Sequence, residues 1–192
     1  LKKPIAILTC LALLVGVSAC GSKHSTLQNR TSATLKSKET EPKLKTLPDG
    51  LSGTCAGDPY APNNNLQKVD LNTTDGQLNI SIPNATDMML VDVGYYVNIY
   101  TKDFKQTQIK IEYHQSEDKK EVTVAPLFGN AKITKIGGFN VDSSDENLLN
   151  VSVPTNLIAG NKHVTWNAAL DMNGKDIAFC PGQSKEEKVP LQ

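Results

Sequence analysis

The chain has 192 residues, 39% hydrophobic and 21% charged, which suits one ordinary globular domain with appendages. Its formal net charge is +0 but unevenly spread. Lys2 and Lys3 stand unopposed, and residues 21–45 set Lys23, Arg30, Lys36, Lys38, Lys43 and Lys45 against Glu39 and Glu41, so the remainder carries an excess of acids. An acidic domain on a basic stem argues against nucleic acid as a partner, because phosphates would be repelled.

In chain order, Lys2 and Lys3 precede an apolar run from Ile5 to Val17. A bilayer span needs about 20 apolar residues, so this run is too short to cross and fits the apolar segment of a secretory signal. It ends in Val17-Ser18-Ala19-Cys20-Gly21. An aliphatic residue, two small residues and a cysteine in this context resemble the lipobox of bacterial lipoproteins. The resemblance covers residues 1–21 only. It implies a signal peptide over 1–19, a diacylglyceryl thioether on Cys20, and attachment to a membrane. Gly21, in place of the aspartate that tends to retain lipoproteins at the inner membrane, implies the outer membrane facing the periplasm.

Residues 22–48, within a tether expected over 20–48, are rich in Ser, Thr, Lys, Glu and Gln and lack aromatics. Such a stretch cannot bury enough apolar surface to offset the entropy of ordering, so it is expected to be a flexible tether. Some 27 flexible residues reach roughly 25–30 Å root-mean-square. The basic side chains read as a solvated linker; contact with anionic head groups, at about 1 kcal/mol per basic residue, is the alternative. With Cys10 in the signal peptide and Cys20 taken by lipid, Cys55 and Cys180 remain. An even pair in a secreted chain reads as one disulfide, against the alternatives of two free thiols or a two-cysteine metal site.

Leu47-Pro48-Asp49-Gly50 is a turn signature that opens the expected domain, residues 49–183, with 184–192 as a C-terminal tail. A second loop is expected over residues 58–65. Beyond it the hydrophobic period is two: Leu78/Ile80/Ile82, Val97/Ile99, Ile109/Ile111/Tyr113, Val122/Val124, Leu149/Val151/Val153 and Val164/Trp166/Ala168/Leu170 each alternate with other residues. Each run predicts a half-buried strand. Asn173-Gly174 predicts a two-residue hairpin turn, since both central positions of that turn need positive φ. Eight or so short strands without a helical stripe predict an all-β fold, an antiparallel, immunoglobulin-like β-sandwich, with Trp166 in its core.

No arrangement for catalysis is legible. His24 lies in the tether, and His114 and His163 sit at strand ends without an identifiable partner. Asp142 to Asn147 is the densest oxygen cluster but lacks the glycine and spacing of a calcium loop. The acid pairs Asp87/Asp92 and Asp171/Asp176 have nothing to place them in a cleft, and no cofactor or metal is expected. Five Asn-x-Ser/Thr matches, from Asn29, Asn72, Asn79, Asn84 and Asn150, are discounted in a bacterial chain. The remaining feature is aromatic: alternation puts Tyr95 inward with Val97 and Ile99, and Tyr96 and Tyr100 outward with Asn98. Tyrosine is enriched at interfaces, so Tyr96 and Tyr100 are the candidate partner contacts.

The expected function is therefore binding to another cell-envelope protein, as an accessory or assembly factor. The alternative is an inhibitor or immunity-type lipoprotein that blocks a hydrolase with a protruding loop such as 137–147. An enzyme acting on cell wall or glycan is the third reading.

Overall fold

The computed structural model describes residues 45–60, 66–85, 91–130, 132–142 and 148–192, the side chains of Asn140 and Asp142 excepted. The signal peptide, Cys20, Asp87 and residues 143–147 lie outside them. All described residues belong to one unit, Thr40–Gln192.

The period-two pattern is realised as strands. They run β1 (Ser52–Ala56), β2 (Lys68–Thr74), β3 (Gln77–Ile82), β4 (Val93–Tyr100), β5 (Gln106–His114), β6 (Lys119–Pro126) and β7 (Thr134–Gly137). Then come β8 (Asn140–Asp142), β9 (Leu148–Pro154), β10 (Val164–Met172), β11 (Lys175–Cys180) and β12 (Val189–Leu191). One sheet has the order β1-β2-β3-β9-β8; the other has β11-β10-β4-β5-β6-β7, with β12 also on β10. The strands pair antiparallel, and the two sheets pack face to face. This is the β-sandwich that the alternation predicts.

Asn173 and Gly174 have φ of 53° and 77°, which joins β10 to β11 by the turn their types demand. Asp75 and Gly76, at 52° and 70°, do the same between β2 and β3. Inward positions of both sheets meet in one core. Trp166, at 0% exposure, belongs to that cluster, standing opposite Ile99 of β4 and Val189 of β12 and against Gly53 of β1. With roughly 200 Å² of ring at about 25 cal/mol per Å², its burial contributes at most about 5 kcal/mol.

The sandwich is joined along both sides. On one, β1 meets β12: Ser52 N–H donates to Gln192 O at 2.9 Å, Gln192 N–H returns the bond at 3.1 Å, and Gly182 N–H donates to Ala56 O at 3.2 Å. The Cys55–Cys180 disulfide, Cα atoms 5.6 Å apart, stitches β1 to β11 along the same seam. On the other side the chain passes straight from β7 in one sheet to β8 in the other through Gly138 and Phe139.

Three expectations are corrected. Residues 184–192 are not a tail, because Val189–Leu191 pair with Val164–Trp166 and Leu191 is fully buried. The tether does not extend to residue 48: Thr46 bridges Ala159, and buried Leu47 lies against Gly160. Of the segment 137–147 expected to protrude, the described part carries Phe139 in the core and Asn140–Asp142 in β8, while 143–147 lie outside the described residues. In each case a few apolar side chains too sparse to form a periodic run are captured by the core.

Candidate binding site

The outward face of the second sheet carries the site. Its geometry begins with β4, whose Tyr95, Val97 and Ile99 are fully buried while Tyr96, Asn98 and Tyr100 take the opposite face. Register then assembles a row: Asn98 stands opposite Gln108 of β5 and Asn167 of β10, and Tyr100 stands opposite Gln106 and Thr165.

The four amide side chains are hydrogen-bonded in one direction. Gln106 and Gln108 each donate through Nε2 to Asn98 Oδ1 at 3.0 Å. Asn98 Nδ2 donates to Asn167 Oδ1 at 3.1 Å, and Asn167 Nδ2 donates to the carbonyls of Lys185 and Glu187 at 2.7 and 3.2 Å. Asn167 is 3% exposed, so this bonding is what makes its burial tolerable. It also draws the 185–187 backbone over the sheet. The result is a cleft of about 370 Å³ with the amides as floor, Tyr96, Tyr100 and Phe179 as aromatic walls, and Asp176, Glu186, Lys185 and Lys188 as a charge-balanced rim. The Oε1 atoms of Gln106 and Gln108 accept no hydrogen bond among the described residues.

Both expected contact residues line this cleft, half-buried rather than fully exposed. Tyr96 folds back over Gly94, where a Cβ would stand 2.9 Å from its hydroxyl, and donates to Glu112 Oε1 at 3.4 Å. Tyr100 donates a long bond to Asn167 Oδ1 at 3.5 Å and carries the Lys188 ammonium 4.5 Å above its ring. Burial pushes both phenols above their ordinary range; Glu112 adds to the effect at Tyr96, and the Asn167 bond partly offsets it at Tyr100. Both therefore remain hydrogen-bond donors at neutral pH. On the far side of Tyr100 a smaller cleft of about 240 Å³ is lined by Lys102, Lys162, His163 and Gln192, among others.

One acid of each pair has a structural partner. Asp171 accepts from Gly174 N–H at 2.9 Å within the hairpin turn, and Asp92 accepts from Gln115 N–H at 2.7 Å. Among the described residues no three His, Cys, Asp or Glu side chains are grouped to hold a metal ion. Alternation in the sequence puts Tyr96 and Tyr100 on the outward face but gives no sign of the amide row. Asn98, Gln108 and Asn167 each look like an ordinary outward polar residue, and only strand register brings them together.

Comparison with family models, with curated proteins and with solved structures yields no match.

Proposed function

We propose that the chain is a lipid-anchored protein of the bacterial cell envelope, held by Cys20 to the outer membrane on its periplasmic side, whose sandwich binds another envelope protein. Two features support the envelope. Val17-Ser18-Ala19-Cys20 has the lipobox pattern, and the Cys55–Cys180 disulfide suits an oxidising compartment.

The observation that carries binding is the amide-floored cleft between Tyr96, Tyr100 and the 185–188 segment. A volume of about 370 Å³ falls in the range of ligand pockets and takes a few residues of a protruding segment rather than a whole domain. The free glutamine carbonyls match backbone N–H groups of such a segment, and the tyrosines supply contact area at low entropic cost.

The test is capture from detergent-solubilised envelope with the full chain as bait, read by mass spectrometry. One stoichiometric envelope protein is expected, with recovery at least tenfold lower for the Gln106→Ala/Gln108→Ala double variant. Equal recovery by that variant removes the cleft from the reading. Palmitate labelling that is lost in Cys20→Ser tests the anchor separately.

A further inference from the structure

Among the described residues, three of the five exposed large apolar side chains, Phe104, Leu127 and Ile133, lie at one end of the sandwich. Phe104 sits in the β4–β5 turn; Leu127 and Ile133 sit in the β6–β7 loop beside it, Leu127 N–H donating to Gln106 O at 2.7 Å. Phe104 is 95% exposed and has φ of 62°, a left-handed conformation that a bulky residue adopts only when its surroundings impose it. The turn imposes it. Thr101 N–H donates to Lys105 O at 2.9 Å, Phe104 N–H to Thr101 O at 3.1 Å, and Lys105 N–H to Thr101 Oγ1 at 3.1 Å. The backbone is thus held so that the ring points into solvent.

Lysines surround these tips. Lys102 and Lys105 flank the turn, Lys132 precedes Ile133, and Lys162 lies in the neighbouring loop that leads into β10. The acid among them, Asp103, is tied to Lys105 at 2.9 Å and to the Thr101 hydroxyl. Asp49 and Asp75 belong to the adjoining β2–β3 side of this end, where Asp49 accepts from Gly76 N–H.

The fold also begins here. Gly160 N–H donates to Lys45 O at 2.9 Å, and Ala159 N–H donates to Thr107 Oγ1 at 3.3 Å, next to the β4–β5 turn. The 44 residues that precede the described fold, Cys20 among them, therefore join the domain at the end that carries the apolar tips and the lysines.

We infer that this end docks onto an anionic bilayer, with Phe104, Leu127 and Ile133 entering the head-group region and the lysines meeting lipid phosphates. Separate apolar tips on two loops, ringed by long basic side chains, match an interfacial membrane contact better than the continuous apolar patch of a protein interface. The inference rests on the lipid-anchor reading for its orientation. It leaves the amide cleft, on the outer sheet face, turned sideways to the membrane and open to a partner.

The test uses the full chain carrying Phe104→Trp, mixed at low salt with phosphatidylethanolamine/phosphatidylglycerol vesicles whose acyl chains are brominated. Trp166 is fully buried and serves as the unquenched reference. The new indole is expected to shift its emission to the blue and lose at least half of it, with at least threefold weaker quenching in the Lys102→Glu/Lys132→Glu background. Ile133→Trp gives a second, independent probe.

A parent that floats with the vesicles while both new indoles stay unquenched overturns the docking and leaves the anchor standing. A parent that does not float overturns both. Quenching that persists in Cys20→Ser supports docking without the anchor, and equal quenching by phosphatidylcholine vesicles overturns the assignment to anionic lipid.

Discussion

Gly53 has no side chain, and that decides how closely β1 approaches the seam. A Cβ there would stand 2.8 Å from Trp166 Nε1, 3.1 Å from Pro190 O and 3.2 Å from Leu191 Cδ1. Trp166 Nε1 is itself a buried donor without a hydrogen-bond partner among the described residues, so the indole is held by packing alone. Gly53→Ala is expected to destabilise the protein by about 1–3 kcal/mol through overpacking. A urea midpoint that does not move would show that β1 can shift to make room. Thr73 solves a comparable problem with a hydroxyl: it accepts from Leu51 N–H and donates to Pro48 O, both at 2.8 Å, which fastens the entering chain to β2. A threonine at an inward position is a weak sequence signal for a strand. This is why Lys68–Thr74 does not stand out although Val69 and Leu71 alternate correctly.

Among the elements, β10 holds the most partners. One edge pairs with β4 along eight residues, and the other is shared by β12 near its start and β11 near its end. The three-residue β12 is invisible to periodicity because it offers only Val189 and Leu191 around Pro190, and a proline demotes a run to an edge position. The structure puts it on an edge, where Pro190 faces outward and Leu191 is fully buried. If β12 is integral to the fold, Leu191→Ala costs about 2–5 kcal/mol, as for other fully buried leucines. A loss below about 0.5 kcal/mol, the range of ordinary surface changes, would return these residues to a dispensable tail.

At the scale of the molecule, the seam sets what the disulfide does. Cys55 and Cys180 are 125 residues apart in sequence, and their bond closes nearly the whole domain into a loop. Replacing both by alanine is expected to cost about 2–5 kcal/mol, measured by denaturant unfolding with and without the bridge. Equal stabilities would mean that the backbone bonds between β1, β12 and the segment after β11 hold the seam unaided. The molecule also keeps two surfaces of different chemistry apart: an amide-floored, charge-balanced cleft on a sheet face and a basic, apolar-tipped end near Lys45.

The sequence by itself determined the fold class, the inward turn of Tyr95 and Trp166, the Asn173-Gly174 hairpin and the cysteine pairing. These depend on alternation, local turn chemistry and counting, all of which are local or additive properties of the chain. Tertiary structure alone decided the domain's limits, the crossing from β7 to β8, and the amide row of Gln108, Asn98 and Asn167. Those features depend on register between strands far apart in sequence, where Asn98 and Asn167 become neighbours only because Val97 and Ile99 must face the same core as Trp166 and Ala168.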